Sequence, residues 1–368
     1  MKSGSLDAGQ SGAARGLKAN DRRGTPRFGA RVGLLLLVGT SVGIGGAARA
    51  AEPSKPPASF REPVASTVAS SPGASVQAKG KSVWDKLPKM KNGEIKLLEA
   101  GAEPRQQLRY KYPVGAGGVV RLTTRSELEV ETDGKKQKAG FVPKLEMLAK
   151  LKVKEKQSDG DFLVDLIGLR PRVRNASQLP APIQKQLETA LGKLPKLHGI
   201  SEVNDRGVQK ALKFDAAKVD SVEMNQILQG LQANLGGMSA PLPAEAVGVG
   251  AKWAVNTSVV QQGLPLTQIA IYELVSLKDG VGRTRVEMRQ IAPKGEIKLP
   301  GAPPGAKTEL VKMTSKGEGE SYFDLENPVP KGRMKTSTKI SLKTTMGKRS
   351  QAVTLRIKAL LRFRPKTK

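Results

Sequence analysis

The chain has 368 residues with 62 Lys and Arg, 33 Asp and Glu, one His and no Cys, which gives a formal net charge of +29. The absence of Cys excludes disulfides, thiol nucleophiles and Cys-based metal sites, and the single His excludes a metal site built from several His. The length allows one large domain or two ordinary ones.

Residues 1–50 have the organisation of a secretory signal peptide. Basic residues precede a short apolar run that starts at Val32, and Ala48-Arg49-Ala50 is a small-x-small cleavage site before Ala51. The alternative is a transmembrane anchor, but the apolar run is far shorter than the roughly 20 residues that span a bilayer. We therefore predict cleavage between Ala50 and Ala51, export to the periplasm or beyond, and a mature chain without a transmembrane segment or lipid anchor.

Removal of residues 1–50 leaves 54 Lys and Arg against 31 Asp and Glu, a net charge of +23. Such a surplus favours anionic partners, among them membrane surfaces, polysaccharides and acidic proteins. The alternative is a charge that serves solubility alone. Nucleic acid is a poor candidate because the protein is expected to be exported and has few aromatic residues on which bases could stack.

Residues 51–92 are rich in Pro, Ser, Ala and Lys and lack an apolar period, which predicts a disordered linker. Two β-rich modules are expected to follow, at residues 93–242 and 243–368. A short motif supports a duplication of these modules: Val114-Gly-Ala-Gly117 recurs as Val247-Gly-Val-Gly250, each time before a predicted long strand.

Polar and apolar residues alternate along most of both modules, which predicts half-buried strands. Runs from Val120 to Val130 and from Phe141 to Val153 show this period, and a hairpin is predicted around Asn204–Gly207. The connections are too short for parallel crossovers. The predicted fold is mainly β, in the α+β class: a curved antiparallel sheet of long strands.

Two amphipathic helices are predicted to pack on this sheet. Pro182 begins a helical apolar pattern that ends at Leu194. Asp220 and Glu223 can cap a second pattern that runs to Leu235. Each apolar stripe needs a buried surface, and one face of the sheet can supply it.

Two hairpins are predicted near the end of the chain. The first pairs residues 310–314 with 321–325 around Lys316-Gly317, and the second pairs residues 334–346 with 351–363 around Gly347-Lys348. In the second hairpin Lys339 lies opposite Arg356, and like charges in this position repel. An anionic partner would relieve the repulsion, as would solvation alone. The predicted anion- or membrane-binding patch consists of Lys335, Lys339, Lys343, Arg356, Lys358, Arg362 and Arg364.

The residues suggest no catalytic, cofactor or metal site. His198 has no neighbouring nucleophile motif and is interpreted as a strand-end residue. Residues 301–308 lack the Gly-Lys step of a phosphate-binding loop. Asp159, Asp161 and Asp165 do not have the spacing of a calcium loop and are interpreted as a solvated turn. We therefore predict a protein that is not an enzyme and needs no cofactor.

Two stretches, residues 108–115 and Val247–Trp253, with residues 199–207 between them, resemble a family of bacterial exported proteins and lipoproteins. This family is found in myxobacteria and similar Gram-negatives and is described only as a domain of unknown function. The resemblance covers roughly residues 105–364. Many members carry a lipidated Cys, which this chain lacks. The resemblance implies export and supplies no catalytic residues.

The predicted function is non-catalytic binding in the cell envelope. Its specific form is the binding of a lipid or another apolar ligand, because a bent sheet covered by helices can enclose a cavity. The alternative is a structural or scaffolding protein that uses its basic surface to contact an anionic membrane or polysaccharide.

Overall fold

The computed structural model describes residues 83–137, 144–175, 181, 184–185, 197–215, 240–261, 264–297 and 305–366. The complete elements in these ranges are one short 3-10 helix, Val83–Lys86, and sixteen strands. The strands of the first half are β1 (Ile95–Glu99), β2 (Gln106–Gln107), β3 (Gly117–Thr132), β4 (Lys135–Gln137), β5 (Lys144–Lys156), β6 (Phe162–Arg174), β7 (Leu197–Val203) and β8 (Gln209–Phe214). Those of the second half are β9 (Ala246–Val247), β10 (Lys252–Gln261), β11 (Leu264–Lys278), β12 (Val281–Ile291), β13 (Gly295–Ile297), β14 (Lys307–Asp324), β15 (Lys331–Met346) and β16 (Arg349–Pro365).

One antiparallel sheet contains fourteen of these strands. Its order is β1-β10-β11-β12-β14-β15-β16-β3-β5-β6-β7-β8, with β4 and β13 paired at the side, while β2 and β9 form a separate pair. Edge strands β1 and β8 do not pair with each other in the described residues, so the sheet is open. The predicted mainly β, antiparallel architecture is confirmed. Strands of both predicted modules join in the one sheet, through the β1–β10 and β3–β16 pairs.

Side chains alternate between two faces of the sheet, as the period of two requires. The inner face carries the buried apolar residues, and the outer face carries most of the charges. In β15 and β16 the predicted register is confirmed: Met346 lies opposite Arg349, and Met334 lies opposite Leu361 on the inner face.

The predicted hairpin around Lys316-Gly317 is wrong. These residues lie in the middle of β14, an uninterrupted strand that pairs with β12 on one side and β15 on the other. Gly317 does not form a turn here but allows close packing between strands. A Cβ at this position would lie 2.9 Å from Met288 Cε and 3.1 Å from Thr336 Cγ2.

The two predicted helices lie outside the described residues, apart from Gln184 and Lys185 of the first, and they stay predictions. The repeated Val-Gly-x-Gly motif differs in backbone conformation between its copies. Gly115 has a positive φ of 89°, whereas Gly248, at the same place in the second copy, does not. The likeness of the two motifs in sequence therefore does not extend to their local structure, and duplication of the modules stays a prediction.

A buried segment, Leu108–Tyr112, shows that the sheet curves. The ring centroid of Tyr112 lies 5.0 Å from that of Phe162 in β6, Tyr110 lies 5.1 Å from Tyr112, and Tyr110 lies 6.3 Å from Phe323 in β14. In a flat sheet β6 and β14 would be about 24 Å apart, at five strand spacings. The strands must therefore wrap around these tyrosines.

The same segment and residues 240–242 connect the two ends of the sheet, and we call them together the bridge. The Asp205 carbonyl between β7 and β8 accepts a hydrogen bond from the Tyr110 amide (2.7 Å), and the Arg206 carbonyl accepts one from the Leu242 amide (2.9 Å). At the other end, Trp253 of β10 donates its indole N–H to the Pro241 carbonyl (2.7 Å). The main core of the protein surrounds the bridge.

A second, smaller apolar cluster lies on the inner face at the other end of the long strands. Its centre is formed by Leu310, Ile340 and Leu355 of β14, β15 and β16. Between the two clusters the inner face is polar, with a buried Gln290–Gln268 hydrogen bond of 2.7 Å and a Ser315–Thr338 contact of 2.7 Å.

Candidate anion-binding surface

The outer face of β15 and β16 contains all seven basic residues of the predicted patch. Lys339 lies opposite Arg356, and Lys358 lies opposite Ser337, as the turn at Gly347-Lys348 predicts. All of them are exposed except Arg356 and Arg362, which are half-buried. The structure therefore brings the predicted residues together on one surface.

Acidic residues of neighbouring strands neutralise part of this surface. Strand β3 places Glu129 opposite Arg356, and the guanidinium of Arg356 donates to the carboxylate of Glu131 at 2.7 Å. This hydrogen bond is the main cause that lowers the pKa of Glu131. On the other side, Lys335 Nζ lies 3.2 Å from the carboxylate of Glu318 in β14. The Lys339–Arg356 repulsion expected from the sequence is thus compensated by β3.

Four cations of the patch make no direct ion pair in the described residues, although Glu309 lies opposite Lys343 and Glu127 lies opposite Lys358 on the neighbouring strands. Lys339, Lys343, Lys358 and Arg364 are exposed and make no ion pair within the described part of the chain. Unpaired cations on one face leave a positive surface that a partner's anionic groups can neutralise. This group is the centre of the candidate site.

Beside the patch, the outer face of β12, β14, β15, β16 and β3 forms a groove with a volume of about 840 Å³. Lys335 and Lys358 of the patch line it. Seven basic and four acidic residues line the groove in total, so its formal charge is +3. Leu360 of β16 is an apolar residue on this charged face. It pairs with Lys335 of β15 on one side and with Arg125 of β3 on the other, and it is only 9% exposed.

Trp84 forms one wall of the groove. Its indole N–H donates to the Glu287 carboxylate (2.9 Å), and the guanidinium of Arg289 lies 4.2 Å from its ring centroid. Further along, the Met90 carbonyl accepts a hydrogen bond of 2.8 Å from Asn256 of β10. Residues 83–92, which the sequence pattern assigns to the linker, thus cross the outer face from β12 to β10.

His198 lies between two carboxylates at the β6–β7–β8 end of the sheet. Its Nδ1 is 2.7 Å from Asp215 Oδ2, and its Nε2 is 3.3 Å from Asp165 Oδ1. A general base for a nucleophile needs one ring nitrogen for that nucleophile, and here both nitrogens have carboxylate partners. The hydrogen bond between His198 and Asp215 is the main reason why the pKa of His198 is raised. The sequence did not reveal this arrangement, since Asp165 and Asp215 are 33 and 17 residues away.

We expect His198→Asn to lower the free energy of unfolding by about 0.5 kcal/mol at pH 5.5 and by less at pH 9, since solvent screens this partly exposed pair. The folded-state pKa is raised above 6.5, so the charged imidazole stabilises the fold fully below that pH. The contribution is lost as the pH rises through the folded-state pKa. Urea unfolding of both proteins at the two pH values measures the effect, and a loss that grows with pH would contradict it.

The Asp159–Asp161 turn is held by a lysine of β8. Lys210 Nζ lies 3.2 Å from Asp159 Oδ2 and also contacts the Asp161 carboxylate. The Asp161 hydrogen bond is the main cause that raises the pKa of Lys210. Within the described ranges no group of three or more His, Cys, Asp and Glu is placed to hold a metal ion.

Comparison with protein-family models gives no match, and comparison with curated proteins gives none either. The resemblance to the exported family therefore stays a prediction. In the described part of the chain, no helix has the length and apolar character needed to cross a membrane.

Proposed function

We propose that the protein is a non-catalytic binding protein of the cell envelope whose basic outer face holds an anionic partner. The observation that carries the proposal is the group of unpaired cations on β15 and β16, centred on Lys339, Lys343 and Lys358. Glutamates of neighbouring strands form ion pairs with Arg356 and Lys335. Glu309 and Glu127 lie opposite Lys343 and Lys358 without pairing within 4 Å, and these three lysines stay exposed. Location in the envelope is supported by the signal-peptide pattern of residues 1–50.

The double variant Lys339→Gln/Lys343→Gln tests the proposal. We expect it to weaken binding to heparin, used as a generic polyanion, about 30-fold at low salt, because each of the two cations contributes about 1 kcal/mol near an anionic surface. The loss should shrink as salt shortens the screening length. Binding is measured by interferometry at 50 and 300 mM salt.

The control for this variant is Lys150→Gln/Lys213→Gln, which removes the same charge from exposed positions on β5 and β8. Equal losses in the two variants would mean that net charge alone attracts the polyanion. No salt-dependent binding by the wild-type protein would refute the proposal.

Binding of a lipid or another apolar ligand is the second candidate. It is supported by the second apolar cluster on the inner face, around Leu310, Ile340 and Leu355. The polar contacts described above, Gln290–Gln268 and Ser315–Thr338, separate this cluster from the main core. Uptake of a fluorescent fatty acid by delipidated protein, abolished by Ile340→Asp but not by Lys339→Gln, would favour this function. The described groove favours the first candidate, because the charged side chains that line it belong to the outer face.

A further inference from the structure

We propose that the Trp84 groove binds a strand of an acidic polysaccharide, of the class that carries carboxylates on its sugar rings. This inference rests on the proposed function and identifies the anionic partner. The groove is separate from the flat part of the basic face around Lys339 and Lys343, which do not line it.

Three cations in the groove make no ion pair within 4 Å in the described residues, although Glu127 of β3 lies opposite one of them, Lys358. Lys316 and Lys358 lie on either side of Ser337 in one row across the sheet, and Arg125 lies beyond Leu360 in the next row. All three are exposed. Cations spaced along a groove of about 840 Å³ suit a linear chain that carries a negative charge at intervals.

Acidic side chains alternate with these cations. Glu127, Glu287 and Glu318 line the same groove and offer hydrogen-bond acceptors beside the donors of Arg and Lys. A sugar ring presents hydroxyls that both donate and accept, and its carboxylate needs a cation.

The shape of the groove favours a single chain over a membrane. A bilayer surface is planar and can touch the rims of a groove but cannot fill it. Trp84, with the Arg289 guanidinium 4.2 Å from its ring centroid, adds an aromatic side chain to the charged wall of the groove.

The chain's own linker is a less suitable occupant. Residues 51–82 precede Trp84 and could reach the groove, but they carry four basic and two acidic residues. The groove itself has a formal charge of +3. Like net charges disfavour this contact, whereas an acidic polymer is complementary.

The test compares four probes on the mature protein by calorimetry: polygalacturonate oligomers, neutral dextran, poly-glutamate, and vesicles with 30% phosphatidylglycerol. We expect polygalacturonate to bind and to change the fluorescence of Trp84, which can be separated from that of the other tryptophan because Trp253 is fully buried. The triple variant Arg125→Gln/Lys316→Gln/Lys358→Gln should weaken this binding by about tenfold or more.

The matched control is Lys150→Gln/Lys154→Gln/Lys213→Gln, which removes the same charge from exposed residues outside the groove and should weaken binding about twofold at most. Poly-glutamate binding as tightly as polygalacturonate, with the same dependence on the triple variant, would overturn the inference in favour of an acidic polypeptide. Equal binding of dextran would overturn the inference, because dextran carries no acid groups. Binding of vesicles alone would refute the inference and leave the proposed function standing, and binding of no anionic probe would refute both.

Discussion

Replacing Tyr110 by Ala is expected to lower the free energy of unfolding by about 4 kcal/mol, the range for truncation of a large buried aromatic residue. Tyr110 is 2% exposed and lies in the bridge, where its ring contacts Tyr112 and Phe323. The variant leaves a cavity at the point where the two ends of the sheet are held together. Urea unfolding followed by far-UV circular dichroism measures the loss.

Tyr110→Phe is the matched control. It keeps the ring and removes only the hydroxyl, which donates to the Ala240 carbonyl at 2.9 Å, so we expect a loss of about 1 kcal/mol. Its removal leaves a buried carbonyl without that donor. If Tyr110→Ala costs no more than Tyr110→Phe, the bridge does not hold the sheet ends together. Both variants should keep polyanion binding where folded, because Tyr110 is on the inner side of the sheet.

The last hairpin could be predicted in detail because its information is local. A two-residue turn at Gly347-Lys348 fixes the register, and strict alternation assigns every side chain to a face. The sequence alone therefore predicts that the seven basic residues share one surface. Strand β3 was predicted for the same reason, from the alternation between Val120 and Val130.

The neutralising residues could not be predicted, because their pairing is not local. Glu131 meets Arg356 across 225 positions of the chain, and only the β3–β16 pair brings them together. The predicted hairpin at Lys316-Gly317 failed for a related reason. A Lys-Gly step is a common turn signal, and only the packing of Met288 and Thr336 shows that Gly317 fills a narrow space within a strand.

Local sequence patterns also could not predict the bridge or the wall of the groove. Leu108–Tyr112 has the alternation of a strand, yet its tyrosines are enclosed by the curved sheet. Trp84 lies within the predicted linker, and its packing on Arg289 and Glu287 depends on residues about 200 positions later. Residues with long-range partners of this kind form much of the candidate site.

The inner face of the sheet supplies stability, and the outer face carries the proposed binding surface. Burial of the inner face around the bridge supplies the hydrophobic stabilisation, and the outer face is free to carry charges that favour a partner. Substitution of the unpaired cations should therefore alter binding with little effect on unfolding. For Lys339→Gln/Lys343→Gln we expect a change of less than about 0.5 kcal/mol in the free energy of unfolding, as for most exposed substitutions.

Gly248→Ala is expected to lower the free energy of unfolding by about 3 kcal/mol, at the upper end for overpacking. A Cβ on Gly248 would overlap the Ala102 carbonyl oxygen and come within 3.1 Å of the Pro104 carbonyl oxygen. These are backbone atoms and cannot rotate away. The Ala102 amide donates to the Val249 carbonyl at 2.8 Å, so the clash would separate two segments that hydrogen-bond beside β1. Thermal and urea unfolding measure the loss.

Gly115→Ala is the control, because Gly115 has the same place in the first Val-Gly-x-Gly motif. A Cβ there meets nothing within 4 Å, and the cost comes only from the positive φ of 89°. We expect about 1 kcal/mol for a non-glycine residue in that conformation. The two variants therefore separate steric crowding from backbone strain. Losses of equal size would show that the motif has one role in both places, and that the close approach of Gly248 to Ala102 does not stabilise the edge of the sheet.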